Sequence, residues 1–190
     1  MNRLTAKFPG LLKSINLFPN HYFNINVNDR ISFQNKDTFI WTCGKFQEYP
    51  KIDLQFNKQI IERVSSICRD FDDKTFGIHI RLTDNTQAVN NSSPALFENK
   101  ISEILAYEKD AKFFLCTDDL RIKNEFSERF GKAIITRDAN LNRNAVEGII
   151  DAAIDLLCLS KTKRIYSSYY TSFSEVASEF SSSERIVLKN

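Results

Sequence analysis

From residue 53 onward, apolar residues recur at two spacings that alternate along the chain. Apolar positions three and four residues apart predict amphipathic helices at residues 53–70, 93–105, 119–130, 144–160 and 172–180. Short runs of β-branched, aromatic or small residues predict buried strands at residues 75–81, 112–117, 133–136, 163–167 and 185–189. This alternation predicts an α/β fold, a three-layer Rossmann-like sandwich with a mainly parallel sheet.

The first 52 residues are less regular. They are rich in asparagine and aromatic residues, and Pro9-Gly10 and Pro19-Asn20 interrupt them. Only residues 38–42 indicate a strand there. We therefore predict a Rossmann-like domain at residues 53–190, preceded at residues 1–52 by an irregular cap or the remnant of a larger N-terminal lobe.

Composition narrows the class of protein. A chain of 190 residues with 42% hydrophobic and 26% charged residues is typical of a soluble globular protein. A net charge of +2 argues against nucleic acid as a partner, and no stretch is long and apolar enough to predict a membrane span. We also find no signal peptide pattern, and the four cysteines are widely spaced without a C-x-x-C pair. These features predict a cytoplasmic protein without disulfides.

Charged residues follow the first predicted strand of the sheet, at 75–81. Arg81 stands where this strand ends and Asp84 lies three residues later. In open α/β sheets, ligands bind beyond the carboxyl ends of the strands, and a cation there suits an anionic ligand. The alternative is a structural ion pair between Arg81 and Asp84.

A second candidate element is the hydroxyl-rich loop at residues 167–172, directly before a predicted helix. Unpaired N–H groups and the helix dipole favour a phosphate at such a position, and serine and threonine hydroxyls add donors. Arg81 would then supply the opposing cation through bidentate contact to a diphosphate. The alternative is simple capping of the helix by Ser172.

Acidic residues occur at two further places. Asp118 and Asp119 follow the strand at 112–117, where they cap the next helix, accept hydrogen bonds from a guanine or ribose, or, least favoured, bind a metal. Asp151 and Asp155 share one helix face. A solvated face is the favoured interpretation, and the alternative is that one of them reaches the same sheet edge and assists nucleotide binding.

The sequence lacks the glycine and histidine motifs that are typical of several classes of enzyme. The five glycines make no G-x-G-x-x-G, P-loop or G-x-S-x-G motif. The two histidines are too few for a metal cluster of their own. His79 alternates with Ile78 and Ile80, which favours a hydrogen-bonded core histidine over a direct contact to a base or phosphate.

Three ordered segments resemble motifs of the fucosyltransferases that use GDP-fucose, namely the α1,6-, nodulation-type, α1,2- and protein O-fucosyltransferases. Residues 79–84 resemble their H-x-R-x-x-D motif, and residues 114–119 resemble their strand ending in a T-D or S-D pair. Residues 151–160 with 167–174 resemble their acidic helix, strand and S-x-F-S loop. The resemblance implies the C-terminal, donor-binding lobe of a GT-B glycosyltransferase.

The resemblance also implies roles for individual residues. Arg81 would bind the β-phosphate, and the donor-binding set comprises His79, Arg81, Thr117, Asp118, Asp155, Thr171, Ser172 and Phe173. Such enzymes invert the anomeric centre without a metal or cofactor. Leu82 stands where many relatives have a second basic residue, and residues 86–91 lack the glutamate that some relatives offer as a base. Asp84 is then the nearest carboxylate, so Arg81 and Asp84 are the candidate catalytic residues.

We therefore expect a protein that binds a GDP-sugar, GDP-fucose above all, and transfers the sugar with inversion to a glycan acceptor. A partner chain or self-association would supply the acceptor site, because only about seventy residues precede the donor lobe against ~100–200 for a complete domain. The alternatives are a non-catalytic nucleotide- or glycan-binding module, one half of a two-chain enzyme and, more remotely, an acid-dependent phosphohydrolase that uses Asp118.

Overall fold

The computed structural model describes residues 56–142, 144–181 and 183–190. Its sheet has five parallel strands in the order β3-β2-β1-β4-β5. The strands are β1 (Thr75–Ile80), β2 (Lys112–Thr117), β3 (Ile134–Ile135), β4 (Arg164–Ser168) and β5 (Glu184–Leu188). The predicted parallel sheet is confirmed, whereas the predictions for residues 1–52 lie outside the described residues.

Helices connect these strands and pack on both faces of the sheet. They are α1 (Lys58–Ile67), α2 (Thr86–Asn91), α3 (Pro94–Tyr107), α4 (Leu120–Phe130), α5 (Val146–Ser160) and α6 (Ser172–Ser181), with short 3-10 turns at Cys68–Asp70 and Gly131–Ala133. The chain begins α3 with Ser93 in the N-cap position and Pro94 in the first turn, as its sequence predicts.

Two apolar clusters separate the three layers. One lies under α3 and α4 and contains Phe97, Ile101 and Phe126 with the strand residues of that face. The other lies under α1, α5 and α6, where Val64, Ile154 and Ala177 pack on the opposite face. Since strand residues alternate between the two faces, β2, β3 and β4 contribute to both clusters. The three-layer Rossmann-like sandwich is thus confirmed.

Residues 85–93, whose polar composition predicts a loop, contain the helix α2. Its N-cap is Asn85, whose side-chain oxygen accepts a hydrogen bond from Ala88 N–H at 3.1 Å. Ala88 itself is fully buried. The helix is only six residues long and mostly polar, so its apolar periodicity is too short to predict it.

In α5 and α6, some residues that the apolar spacing places on the core-facing side are exposed. Val146 and Ile149 of α5 are 70% and 61% exposed, and Val176 and Phe180 of α6 are 37% and 40% exposed. The two helices bury narrower faces than their apolar patterns predict. Asp151, not Ile149, occupies a buried position of α5, because its carboxylate is held by partners described below.

The strand order places a ligand crevice at one point of the sheet. Strands β2 and β3 lie on one side of β1, and β4 and β5 lie on the other. The helices that connect the first group pack on one face of the sheet, and those that lead to β4 and β5 pack on the opposite face. In doubly wound sheets the connections leave in opposite directions at such a switch point and open a crevice beyond the carboxyl ends. Here the switch point lies between the ends of β1 and β4, and we refer to this place as the crevice.

Candidate functional site

Two of the segments singled out in the sequence meet at this crevice. Arg81 follows β1, and its N–H donates to Ser168 Oγ at the end of β4 at 3.0 Å. Four residues later, the Asn85 side chain donates to the Tyr170 carbonyl at 2.7 Å. The structure therefore brings the loop after Arg81 against the hydroxyl-rich loop before α6.

The Arg81 guanidinium is paired with two carboxylates. Its Nε lies 2.9 Å from Asp84 Oδ1 and 3.0 Å from Asp118 Oδ2, and its Nη2 lies 2.5 Å from Asp84 Oδ1. The Arg81 side chain remains 21% exposed. The structural ion pair weighed as an alternative does form, at the position expected for an anion-binding cation.

Asp118 organises the loop that carries Arg81. One of its carboxylate oxygens accepts from Leu82 N–H at 2.8 Å and the other from the Thr83 hydroxyl at 2.7 Å. Its neighbour Asp119 caps α4 by accepting from Arg121 N–H at 2.9 Å, as one of the interpretations predicted. Thr117 accepts from Asp119 N–H at 3.2 Å. These contacts give Asp118 a positioning role at the crevice.

His79 is buried but not hydrogen-bonded as a core histidine should be. The imidazole is 5% exposed, and its ring centroid lies 4.9 Å from that of Phe173 in α6. Its Nδ1 has no hydrogen-bond partner. Burial and the nearby Arg81 and Arg185 charges lower the pKa of His79 to about 4, against the opposing effect of Asp118. His79 is therefore neutral near pH 7.

The loop before α6 has an unusual backbone at Tyr170, whose φ of 53° lies in the left-handed region. This conformation turns the chain into α6, which begins at Ser172, so that Thr171 directly precedes the helix. Phe173 lies against His79, as noted above. The predicted donor-binding residues His79, Thr171, Ser172 and Phe173 are thus grouped at or near the first turn of α6.

The carboxylates of α5 do not form the solvated face that was favoured. Asp151 accepts from Arg137 at 3.0 Å, from Arg63 at 2.8 Å and from Asn140 N–H at 2.7 Å. Asp155 accepts from Arg137 Nε at 2.5 Å. Because Arg137 follows β3, the two carboxylates bind the carboxyl end of that strand to α5.

Burial favours a higher pKa for the carboxyl groups of both Asp151 and Asp155, but the net shifts of the two pKa values have opposite signs. It raises the pKa of Asp155 although the Arg137 charge opposes it. At Asp151 burial is outweighed by the hydrogen bond from Asn140 N–H and by Arg137, and the pKa is lowered. Asp155 also lines a small cleft beside β2 and β3, together with Leu115, Cys116, Thr117, Leu120, Lys123, Arg137, Ala139 and Leu141.

Three residues of this crevice are not among the donor-binding residues that the sequence predicts. Ser168 accepts the Arg81 N–H, Ser174 is fully buried in α6, and Arg185 of β5 places Nη1 3.4 Å from Ser167 Oγ. Ser168 and Ser174 lie within or beside the recognised loop, so hydroxyl count alone could have included them. Arg185 stands near the start of a strand, and only the sheet order brings it close to His79.

Across residues 56–142, 144–181 and 183–190, no group of three or more His, Cys, Asp or Glu side chains could hold a metal ion. Within the same ranges, every helix falls short of the length and apolar character that a bilayer crossing requires.

Comparison with known proteins identifies the fold. No protein family model and no curated protein sequence matches this chain. Among solved structures, the apo form of POFUT1 shares 10% identity at a TM-score of 0.51, over 71% of this chain and 47% of that chain. NodZ alpha-1,6-fucosyltransferase soaked with GDP-fucose shares 22% identity at a TM-score of 0.49, over 65% and 42%.

A further NodZ structure, from Bradyrhizobium, shares 20% identity at a TM-score of 0.46, over 64% of this chain and 41% of that chain. This chain spans less than half the length of each of these structures. The likeness to POFUT1, at a TM-score of 0.51, shows that the domain has a fucosyltransferase-like α/β fold.

Proposed function

We propose that this chain binds a GDP-sugar, GDP-fucose in particular, in the crevice between β1 and β4 and transfers the sugar with inversion to a glycan acceptor. The chain would act as the donor lobe of a GT-B glycosyltransferase, without a metal. A partner chain or a second copy would contribute to the acceptor site.

One observation carries the proposal. The Arg81 N–H donates to Ser168 Oγ at 3.0 Å, which holds the H-x-R-x-x-D segment against the hydroxyl-rich loop before α6. A guanidinium and a helix start on either side of one crevice suit a diphosphate. The two segments that resemble fucosyltransferase motifs are 87 residues apart in the chain, so their meeting at the switch point supports a shared role.

Inverting transfer requires a base for the acceptor hydroxyl and positive groups for the leaving diphosphate, and the site supplies the second better than the first. The acceptor oxygen forms a bond to the anomeric carbon while the bond from that carbon to the β-phosphate oxygen breaks, and a base takes the acceptor proton. Cationic and N–H groups stabilise the departing diphosphate. Arg81 and the first turn of α6 would serve the leaving group. Asp84, 56% exposed, is the candidate base.

Replacing Arg81 tests donor binding. We expect Arg81→Ala to weaken GDP binding in calorimetry by about tenfold or more, about 1.4 kcal/mol, because a charge-assisted contact to the diphosphate is lost. Arg121→Ala is the matched control, since Arg121 is 85% exposed and salt-bridged to Asp119. Equal GDP affinity for wild type and Arg81→Ala would remove Arg81 from the site.

A second candidate function is favoured by the pairing of Asp84. Its carboxylate lies 2.5 Å from Arg81 Nη2, so it already serves an ion pair and must exchange that contact to act as a base. A non-catalytic GDP-sugar-binding module, or one half of a two-chain enzyme, needs no such exchange.

Sugar release separates these candidates. With GDP-fucose as donor, the enzyme is expected to release GDP, and Asp84→Asn is expected to lower that rate by about a hundredfold or more while GDP still binds. A wild-type protein that binds GDP-fucose and releases nothing, alone or with acceptor glycans, would favour the binding module.

A further inference from the structure

Buried polar groups lie at or near the first turn of α6. Ser167 and Ser174 are fully buried and His79 is 5% exposed. His79 Nδ1 and Ser174 Oγ both lack a hydrogen-bond partner. Leaving a buried polar group unpaired costs about 1–3 kcal/mol. Ser174 belongs to the first turn of α6 and the His79 ring lies against Phe173 of the same turn, so a ligand group at this turn would give both atoms a partner.

Arg185 reaches the same place from the neighbouring strand β5. The alternate residues Ile186 and Leu188 pack on the cluster under α3 and α4. Strand alternation therefore directs Arg185 toward the α6 side of the sheet. Its Nη1 lies 3.4 Å from Ser167 Oγ, and Ser167 is the register partner of His79. The guanidinium thus extends toward the carboxyl edge and the two unpaired atoms.

The two guanidinium groups near His79 differ in their partners. Arg81 is paired with the carboxylates of Asp84 and Asp118. Among the described residues, the Arg185 side chain contacts the Ser167 hydroxyl and no carboxylate. A cation without a carboxylate neighbour attracts an anion more strongly than one already neutralised, so Arg185 is the better placed to meet a new negative charge.

We propose that Arg185, His79 and Ser174 form an anion pocket beneath the first turn of α6 and that this pocket holds a phosphate of the nucleotide donor. The pocket deepens the donor site, and its assignment to a nucleotide rests on the proposed function. Ser174 Oγ–H and the neutral His79 imidazole donate to a phosphate oxygen, and the N-terminal dipole of the ten-residue α6 adds to the attraction. Arg185 supplies the second positive charge that Leu82 does not.

Calorimetry on the full chain tests the pocket with guanosine, GDP and inorganic pyrophosphate. We expect Arg185→Gln to weaken GDP and pyrophosphate binding by about tenfold or more, and guanosine binding by less than about twofold. Arg164→Gln removes the same charge at the start of β4, where Arg164 pairs with Glu184, and is expected to change each affinity by less than about twofold. A purely structural role of Arg185 would weaken guanosine binding as much as GDP binding.

Each outcome separates the pocket from the proposed function. If the wild-type protein binds pyrophosphate but not GDP, the proposal of an anion pocket stands and the GDP-sugar proposal is contradicted. Wild type and Arg185→Gln that bind GDP equally would overturn the pocket alone, and wild type that binds neither ligand would overturn both. If Arg185→Gln fails to fold, Ser174→Ala decides, with pyrophosphate affinity expected to fall about fivefold. Unchanged affinity there would overturn the pocket.

Discussion

At the scale of single residues, His79 is where core packing and ligand binding meet. The imidazole of His79 is buried in the core, and its Nδ1 has no hydrogen-bond partner. Its ring lies against Phe173 in the first turn of α6, so any ligand at that turn comes close to it. The same burial makes His79 a titrating group with a measurable effect on stability.

The pH dependence of unfolding follows from the pKa of His79, about 4 in the folded protein against 6.5 for an ordinary histidine. Between these values the unfolded chain binds a proton that the folded chain does not, so stability falls as pH falls from 6.5 toward 4. The loss attributable to His79 is about 3 kcal/mol. Chemical denaturation at pH 7 and pH 5 measures the part of this loss that falls in that interval, about 2 kcal/mol.

His79→Gln provides the matched comparison, since glutamine is polar and does not titrate. The variant is expected to lose less stability than wild type over the same pH interval, by the share that His79 contributes. Identical pH profiles for the two proteins would show that the His79 imidazole is solvated in solution.

At the scale of elements, Arg137 ties the end of β3 to the helix α5. Both carboxylates of that helix face accept from it, and Asn140 N–H adds a bond to Asp151. The backbone of Asn142 lies close to α5, since a Cβ on Gly148 would overlap the Asn142 carbonyl oxygen. Since β3 has only two residues, these side-chain contacts contribute much of its attachment.

Removing one carboxylate of this cluster should therefore destabilise the fold. We expect Asp151→Ala to lower the free energy of unfolding by about 3 kcal/mol, because Arg137 and Asp151 are 12% and 11% exposed and the buried Arg137 charge loses one of its two carboxylate partners. Glu184→Ala is the control, since Glu184 is 59% exposed and its pair with Arg164 should contribute less than about 1 kcal/mol. Urea denaturation measures both, and equal losses would contradict the assignment.

Elements were predicted well where the apolar pattern is long and poorly where it is short. The strands β1 and β2 and the helix α4 are found where apolar and β-branched spacing places them. The six-residue α2 was missed, because its six mostly polar residues leave no period to read. For α5 the apolar pattern overstated the buried face, since Val146 and Ile149 are exposed while Asp151 is buried by its ion pairs.

At the scale of the whole molecule, the site exists because of strand order. Arg81 and Ser168 follow β1 and β4, which are distant in sequence and adjacent in the sheet. Strand order also brings Arg185 of β5 to Ser167 of β4, which is the register partner of His79 in β1. Reversal of connection direction between β1 and β4 separates the crossover helices and leaves a crevice there.

The sequence by itself determined the α/β class, the alternation of strands and helices, and the edge at which charged and hydroxyl residues gather. It could do so because hydrophobic period and strand ends are local properties of the chain. The tertiary structure decided which carboxylates pair with Arg81, that Asp151 and Asp155 bind Arg137, and that Arg185 lies near His79. Those contacts join residues far apart in the chain, and their partners follow only from strand order and side-chain direction, which no local pattern contains.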